Sequence, residues 1–522
     1  MCAKTIKLKN FHNAKWDEPL IFELSDPGCR GILVPQVEES ILDAAQGAPE
    51  KLVPSALRRK QAPGLPEIAQ PQVLRHFLRL SQETMGQDIN IDIGLGTCTM
   101  KYSPKVNEQF VRNAKLTEMH PLQDPATAQG ILKILYDFEQ IMKEISGMDS
   151  FSFQPAGGGA AIYSNAAILK KYFADRGEAE QRTQVITTIL SHPLDAAAPA
   201  TCGFEVISLM PDEVGYPSLD SLKAVLSEKT AGIFITNPED TGVFNPIIKQ
   251  FIDEVHRVGG LCIFDMADYN GMFGLIRPGD IGADMCHFNL HKSFSSPHGC
   301  MGPACAAQGV SAELAKYLPI PHVTFDGEKY GLDYEERESI GKIRQFHGVV
   351  AAVVRAYSWV MSLGAEGLKE VSEIAILNNN YMMKRLLEEV RGISIPWSSV
   401  ECHRLEQVRY SWEQLYNDTG VCNDDINRRM QDFGFQRFFP SHHPLIVPEP
   451  YTPEPTETYS KADIDEYVEA LKYISQEAYT SPDIVKTAPH RGAIGNVPNN
   501  TIEDPNDLCV TWRVYKRKKN IE

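Results

Sequence analysis

The sequence predicts an α/β fold: a mainly parallel central sheet clad by helices, followed by a smaller C-terminal α+β domain and preceded by an extended N-terminal arm. Three observations carry this. Between Thr183 and Leu290, short apolar runs alternate with amphipathic ones, the pattern of strands joined by crossover helices. Beyond Pro319 the apolar period changes to that of long helices. Before about residue 86 the chain is rich in Pro and charge, with weak periodicity. At 522 residues it exceeds one simple domain. The expected division is an arm over 1–85, a large domain over 86–320, a small domain over 321–480 and a loop-rich tail over 481–522.

Taken in order, the arm carries one short helix around Val73 to Leu80. Asp92 to Tyr102 is a Gly-punctuated turn bearing hydroxyls, a thiol and Lys101; a packed loop and a substrate-side wall are equal readings of it. Apolar residues from Ile131 to Met142 recur at helical spacing, so a helix is expected from Ala126 to Met148. Val185 to Leu190, Gly232 to Ile235, Leu261 to Phe264 and Met285 to Leu290 read as strands; Ser218 to Ser227 and Pro246 to Val258 read as helices. Ser339 to Leu363, Gly367 to Val390 and Ala462 to Tyr479 read as further helices, with a mixed region between Gly392 and Pro448.

The formal charge of −17 argues against a nucleic-acid surface, which needs a basic face. The basic run Lys516 to Lys519 is read as a solvated tail. Eleven cysteines occur without CxxC pairs, which suits reduced thiols in a cytoplasmic protein. Neither a secretory h-region nor an apolar run of bilayer length is seen. No metal-ligand spacing is read.

The polar residues that follow the four predicted strands are the candidate site. Ligands of parallel sheets bind at the carboxyl ends of the strands, and there stand Ser191-His192, Asn237-Pro238, Asp265 and Lys292. A lysine leaving an apolar strand into a turn of Ser, His and Gly can be partly desolvated, which exposes a neutral amine able to form an imine; snorkelling at a strand end is the alternative. Asp265 is either a helix cap or a carboxylate aimed into the crevice. His192 is either a ring cover or a structural imidazole. Asn237 is either a turn residue or a donor near a cofactor oxygen. Gly157, Gly158 and Gly159 open a helical run, where backbone N–H groups and the helix dipole can receive a phosphate. A lysine, a carboxylate, a planar side chain and a phosphate cradle are the parts that a pyridoxal 5'-phosphate site requires.

The order glycine turn, His192, Asn237, Asp265, Lys292 resembles that of the fold-type I pyridoxal phosphate enzymes. More closely, the chain resembles the P-protein family of the glycine cleavage system, the glycine dehydrogenases (decarboxylating), as their second subunit. The resemblance rests on Pro19 to Glu23, Gly94 to Lys101, His120 to Pro125, Gly274 to Asp280, Asn289-Leu290-His291-Lys292, Ser339 to Gly341 and Glu454 to Thr458. It implies that Lys292 binds pyridoxal 5'-phosphate, that His192 lies over the ring and that Asp265 faces the pyridine nitrogen, with Ala267 and His291 beside them. It also implies that glycine is decarboxylated, that the aminomethyl group passes to a lipoyl H-protein, and that a homologous first subunit is the partner in an oligomer. The chain departs from the family pattern at Ala160-Ala161-Ile162, Asp195-Ala196, Met266, Asp268 and Cys300-Met301. A related enzyme acting on another amino acid, and a silent partner subunit, are the alternatives.

Overall fold

In the computed structural model the described residues are 7–46, 53–61, 63–86, 88–96, 99–298, 302, 304–398, 403–442, 446–497, 504 and 511–521. The chain forms two compact units, one of residues 1–9 and 87–488, the other of 10–86 and 489–522.

The larger unit is built on a seven-stranded sheet. Its strands are β1 (Ser150–Ser152), β2 (Gln184–Thr188), β3 (Glu205–Leu209), β4 (Thr230–Thr236), β5 (Leu261–Asp265), β6 (Met285–Asn289) and β7 (Ala306–Val310). Their spatial order is β1-β7-β6-β5-β4-β2-β3. The pairs β3/β2, β2/β4, β4/β5 and β5/β6 are parallel, whereas β7 runs against both of its neighbours. All four strands read from the sequence are present. Those missed, β1, β3 and β7, are the shorter or less apolar ones: β3 is half exposed, and β7 (Ala-Ala-Gln-Gly-Val) has few of the branched residues that mark strands. Strands β4, β5 and β6 are buried almost throughout, as expected where helices cover both faces.

Helices α1 (Gln129–Ser146), α2 (Gly158–Asp175), α3 (Leu194–Thr201), α4 (Leu219–Val225) and α5 (Ile248–Arg257) cover the sheet. Helix α5 has the clearest amphipathic pattern, and Ile248, Phe251, Ile252 and Val255 form its buried stripe. One apolar cluster, with Phe138, Ile233, Phe264, Phe288 and Trp359, lies on one side; another, with Ile162, Phe173, Phe234 and Ile263, lies on the other. The alternation of side chains along each strand puts Ile233 and Phe234 on opposite faces.

The helix expected from Ser339 begins only at Val350 and forms α6 (Val350–Glu389). Phe346 and Gly348 have positive φ, and a Cβ at Gly348 would lie 2.3 Å from the Phe153 carbonyl oxygen, so the chain is pinned in a loop there. Gly364, at φ 66°, interrupts α6 where two separate helices were expected. Helix α7 (Lys461–Thr480) starts with a Ser460/Asp463 capping box. It packs in a third apolar cluster with Tyr410, Trp412, Phe435 and Tyr451.

In the second unit, the arm's helix spans Gln70–Gln82. His76 and Arg79 from it meet Glu18 at 2.9 and 3.1 Å. The basic run, read as a solvated tail, ends a helix, Trp512–Lys519. Trp512 stacks on Phe22 at 4.9 Å and anchors it, while the four cations occupy the last turn, where the helix dipole favours them.

Candidate active site

Lys292 follows β6 in a turn closed by its own N–H, which donates to the Asn289 carbonyl at 3.0 Å. The side chain is 7 % exposed and lines a cavity of about 160 Å³ at the carboxyl ends of the parallel strands. His192, Asp265, Ala267, His291, Gly158 and Gly159 line the same cavity. Met100, Ile162 and Leu194 supply an apolar wall. A larger cavity of about 290 Å³ around Leu132 and Phe346 has neither a lysine nor a carboxylate in its wall, so it lacks the groups for this chemistry.

The glycines are where close approach demands them. Gly157 caps α2 at φ 147°. A Cβ on Gly158 would lie 2.9 Å from the Asn289 amide nitrogen, and one on Gly159 would lie 2.9 Å from Leu194 Cδ1. The first N–H groups of α2 have no intrahelical acceptor, so this end of the cavity can receive an anion. The residues present therefore fit pyridoxal phosphate: an amine, a carboxylate, an imidazole and a phosphate cradle on one cavity wall.

Asp265 is 4 % exposed, and its Oδ1 accepts the Ala267 N–H at 2.8 Å. His287 Nε2 lies 3.2 Å from the same oxygen, misaligned for a hydrogen bond. Burial holds the His287 imidazole below its usual range, and it pushes His192 down to about 4 and His291 to about 3. All three imidazoles are thus neutral at pH 7. His192 accepts the Leu194 N–H on Nδ1 at 3.2 Å, which leaves the ring proton on Nε2. His291 Nδ1 lies 3.1 Å from the Cys305 carbonyl oxygen, to which it donates.

Asn237 differs from expectation. Its Oδ1 accepts the Asn245 N–H at 2.8 Å and its Nδ2 donates to the Asn245 carbonyl at 3.2 Å. Both ends are committed to a backbone clamp, and the side chain is not among those lining the cavity. The 92–102 turn divides its roles: Met100 lines the cavity, whereas buried Lys101 pairs with Glu457 at 2.8 Å beneath the Trp359 ring. Cys300-Met301 lies outside the described residues.

A family model described as "Glycine cleavage system P-protein" matches residues 42–329, and one for the "Glycine dehydrogenase, C-terminal domain" matches 371–490. The chain is 42 % identical to a protein of Pyrococcus abyssi named "Probable glycine dehydrogenase (decarboxylating) subunit 2", over 98 % of both chains. The chain belongs to the glycine cleavage system P-protein family. Proteins of the same name from Pyrococcus furiosus and Halalkalibacterium halodurans are 43 % and 38 % identical, over 98 % of both chains and over 93 % of this chain and 96 % of the other. The fold is that of a solved glycine decarboxylase (P-protein), with TM-score 0.70 at 18 % identity over 85 % of this chain and all of that one. A cysteine desulfurase from Thermococcus onnurineus shares it at TM-score 0.56 and 14 % identity, over 75 % and 98 %.

In this P-protein family member several cavity residues escaped sequence reasoning. His287 and Asn289 are polar residues two apart in an otherwise apolar β6, which places both on one strand face; that alternation was the available signal. His298 lies beyond the strand, with its ring 4.4 Å from that of His291. Glu406 and Gln407, more than a hundred residues further along the chain, line a small cavity with the lysine, and no local pattern marks them. Elsewhere, His256, Cys262 and Asp284 bring ligand-type atoms within 4.8 Å of one another. There Asp284 Oδ2 accepts both the Cys262 N–H and the His256 ring N–H, so hydrogen bonds within the cluster account for it.

Proposed function

We propose that this chain is the cofactor-bearing subunit of a glycine decarboxylase, with pyridoxal 5'-phosphate held on the Lys292 amine. The convergence of Lys292, Asp265 and His192 on one cavity at the strand ends carries the reading. The P-protein family and the name of its relatives supply the substrate, glycine, and the expectation of a separate first subunit. Bound there, the cofactor supplies the electron sink that lets an amino acid lose its carboxylate.

The protein's own groups have distinct tasks. Lys292 provides the amine that holds the aldehyde carbon, and its burial keeps bulk water from competing. Asp265, fixed by the Ala267 N–H, would keep a proton on the ring nitrogen. His192, neutral at pH 7, would cover the ring face without adding charge. The N–H groups at Gly158 and Gly159 take the phosphate. Met100, Ile162 and Leu194 exclude water from the reacting carbon. A lipoyl H-protein would be the acceptor of the aminomethyl group in this reading.

The test uses the full-length chain loaded with cofactor. A visible band should form, borohydride should abolish it, and peptide mapping should place the reduced adduct on Lys292. Adding glycine should shift the band, and carbon dioxide exchange should require glycine, H-protein and the first subunit. No band, or a label on another lysine, overturns the cofactor assignment; a response to another amino acid and none to glycine overturns the substrate.

A further inference from the structure

His192 is held by its backbone neighbour at a point, not in a plane. Its Nδ1 accepts the Leu194 N–H at 3.2 Å, which fixes one ring atom. The χ2 torsion of a histidine is broad, so that bond alone leaves the ring free to tilt. Against it stands the ring of His442, with centroids 4.5 Å apart and planes at 63°, the edge-to-face arrangement that aromatic rings prefer. Among the described residues no other aromatic ring lies against His192.

His442 is itself fixed from several directions. The Phe439 ring lies 4.5 Å from its ring. Asp240 Oδ2 lies 3.5 Å from its Nδ1, and the same oxygen pairs with Arg409 Nη2 at 3.4 Å. Arg409 is 1 % exposed and Asp240 4 %, so this ion pair is little screened by solvent. Arg409 Nε donates to the Thr452 hydroxyl at 2.9 Å, and that hydroxyl donates to the Pro440 carbonyl at 2.8 Å. The Thr452 N–H donates to the Phe439 carbonyl at 2.9 Å, and the Phe439 N–H to the Gly94 carbonyl at 2.8 Å. The segment that carries His442 is therefore tied to the same arginine that holds Asp240. Asp240 and His192 in turn share the wall of a small cavity, about 30 Å³, that Lys292 also lines.

We infer that His442 is a positioning residue that sets the plane of the His192 imidazole, and with it the face offered to the cofactor ring. The inference rests on the reading of Lys292 as the cofactor lysine and of His192 as the ring cover. Stacking depends on the relative orientation of the two planes, so a cover that tilts loses attraction. His442 is absent from the walls of both cavities that Lys292 lines, so its effect on the cofactor has to pass through the ring at 192. A merely structural histidine would lower stability whether or not that ring were present.

The experiment is a double-mutant cycle on the cofactor-loaded full chain. It is read by absorbance titration of the cofactor and by circular dichroism of the visible band per bound cofactor. His442→Ala should weaken cofactor binding roughly two- to tenfold, the size of one edge-to-face contact, and lower the dichroism. His442→Phe keeps a planar edge and should stay within about twofold of wild type. In a His192→Ala background, His442→Ala should have no further effect on either readout. Equal effects of His442→Ala with and without the His192 ring overturn the inference, as do unchanged binding and dichroism in His442→Ala. Should His442→Ala not fold, His442→Leu, which fills much of the same space without a planar ring, takes its place. Absence of the band from wild type is instead a failure of the Lys292 reading. The contact is then read in the cofactor-free chain by histidine-selective NMR, with His192→Ala supplying the assignment. Removing a ring 4.5 Å away should shift the His192 ring signals, and signals unchanged in His442→Ala overturn the inference.

Discussion

At the scale of single residues, the site depends on one atom not being there. The Cα of Gly158 faces the Asn289 amide so closely that an added Cβ must displace it. Gly158→Ala is therefore expected to weaken cofactor binding about tenfold or more, read by absorbance titration, with the fold retained because an alanine suits a helix start. His192 tests the ring-cover role from another side. A planar apolar ring preserves stacking, worth roughly 0.5–1.5 kcal/mol. His192→Phe should hold the cofactor within a few-fold of wild type, whereas His192→Ala should lose up to about tenfold. Equal loss in both variants would mean that the imidazole, not its plane, matters.

At the scale of elements, distant segments are clipped together by turns that only glycine can make. Gly242 has φ 77°, accepts the Leu405 N–H on its carbonyl at 3.3 Å, and would place a Cβ 1.8 Å from the Gln407 carbonyl oxygen. This contact seats the 404–408 segment, and with it Glu406, against the turn after β4. Gly242→Ala should cost about 3 kcal/mol through overpacking and left-handed strain. A lowered urea midpoint would register it. The delayed start of α6 has the same origin, since Gly348 sits against the Phe153 carbonyl; the apolar pattern before Val350 was read as helix because periodicity carries no information about that approach.

At the scale of the whole molecule, buried titratable groups make stability depend on pH from two sides. Glu239 is 3 % exposed, accepts the Thr188 hydroxyl at 2.9 Å, and is pushed up to about 8 by burial. Its folded pKa lies above the ordinary value of 4.5, so the native state binds the extra proton and stability falls as pH rises from about 4.5 to about 8. Glu239→Gln should match wild type near pH 5 and exceed it by about 2–4 kcal/mol at pH 8, at most ~1.4 kcal/mol per pH unit, in urea unfolding at the two pH values. His192 and His291 act oppositely: folded values of about 4 and 3 mean that the unfolded chain takes up protons first as pH falls below 6.5, and stability is lost there. The parallel strands were legible in the chain alone, because buried strands are continuous apolar runs. So were the polar residues at or just beyond their ends, His192, Asp265 and Lys292, because that is where an apolar run stops. Tertiary structure alone decided that Asn237 turns to Asn245, that His287 and Asn289 face the cavity, and that Glu406, 114 residues further along the chain, lines a cavity with Lys292. Periodicity reports which residues are buried; which buried groups meet is fixed only when the chain closes on itself.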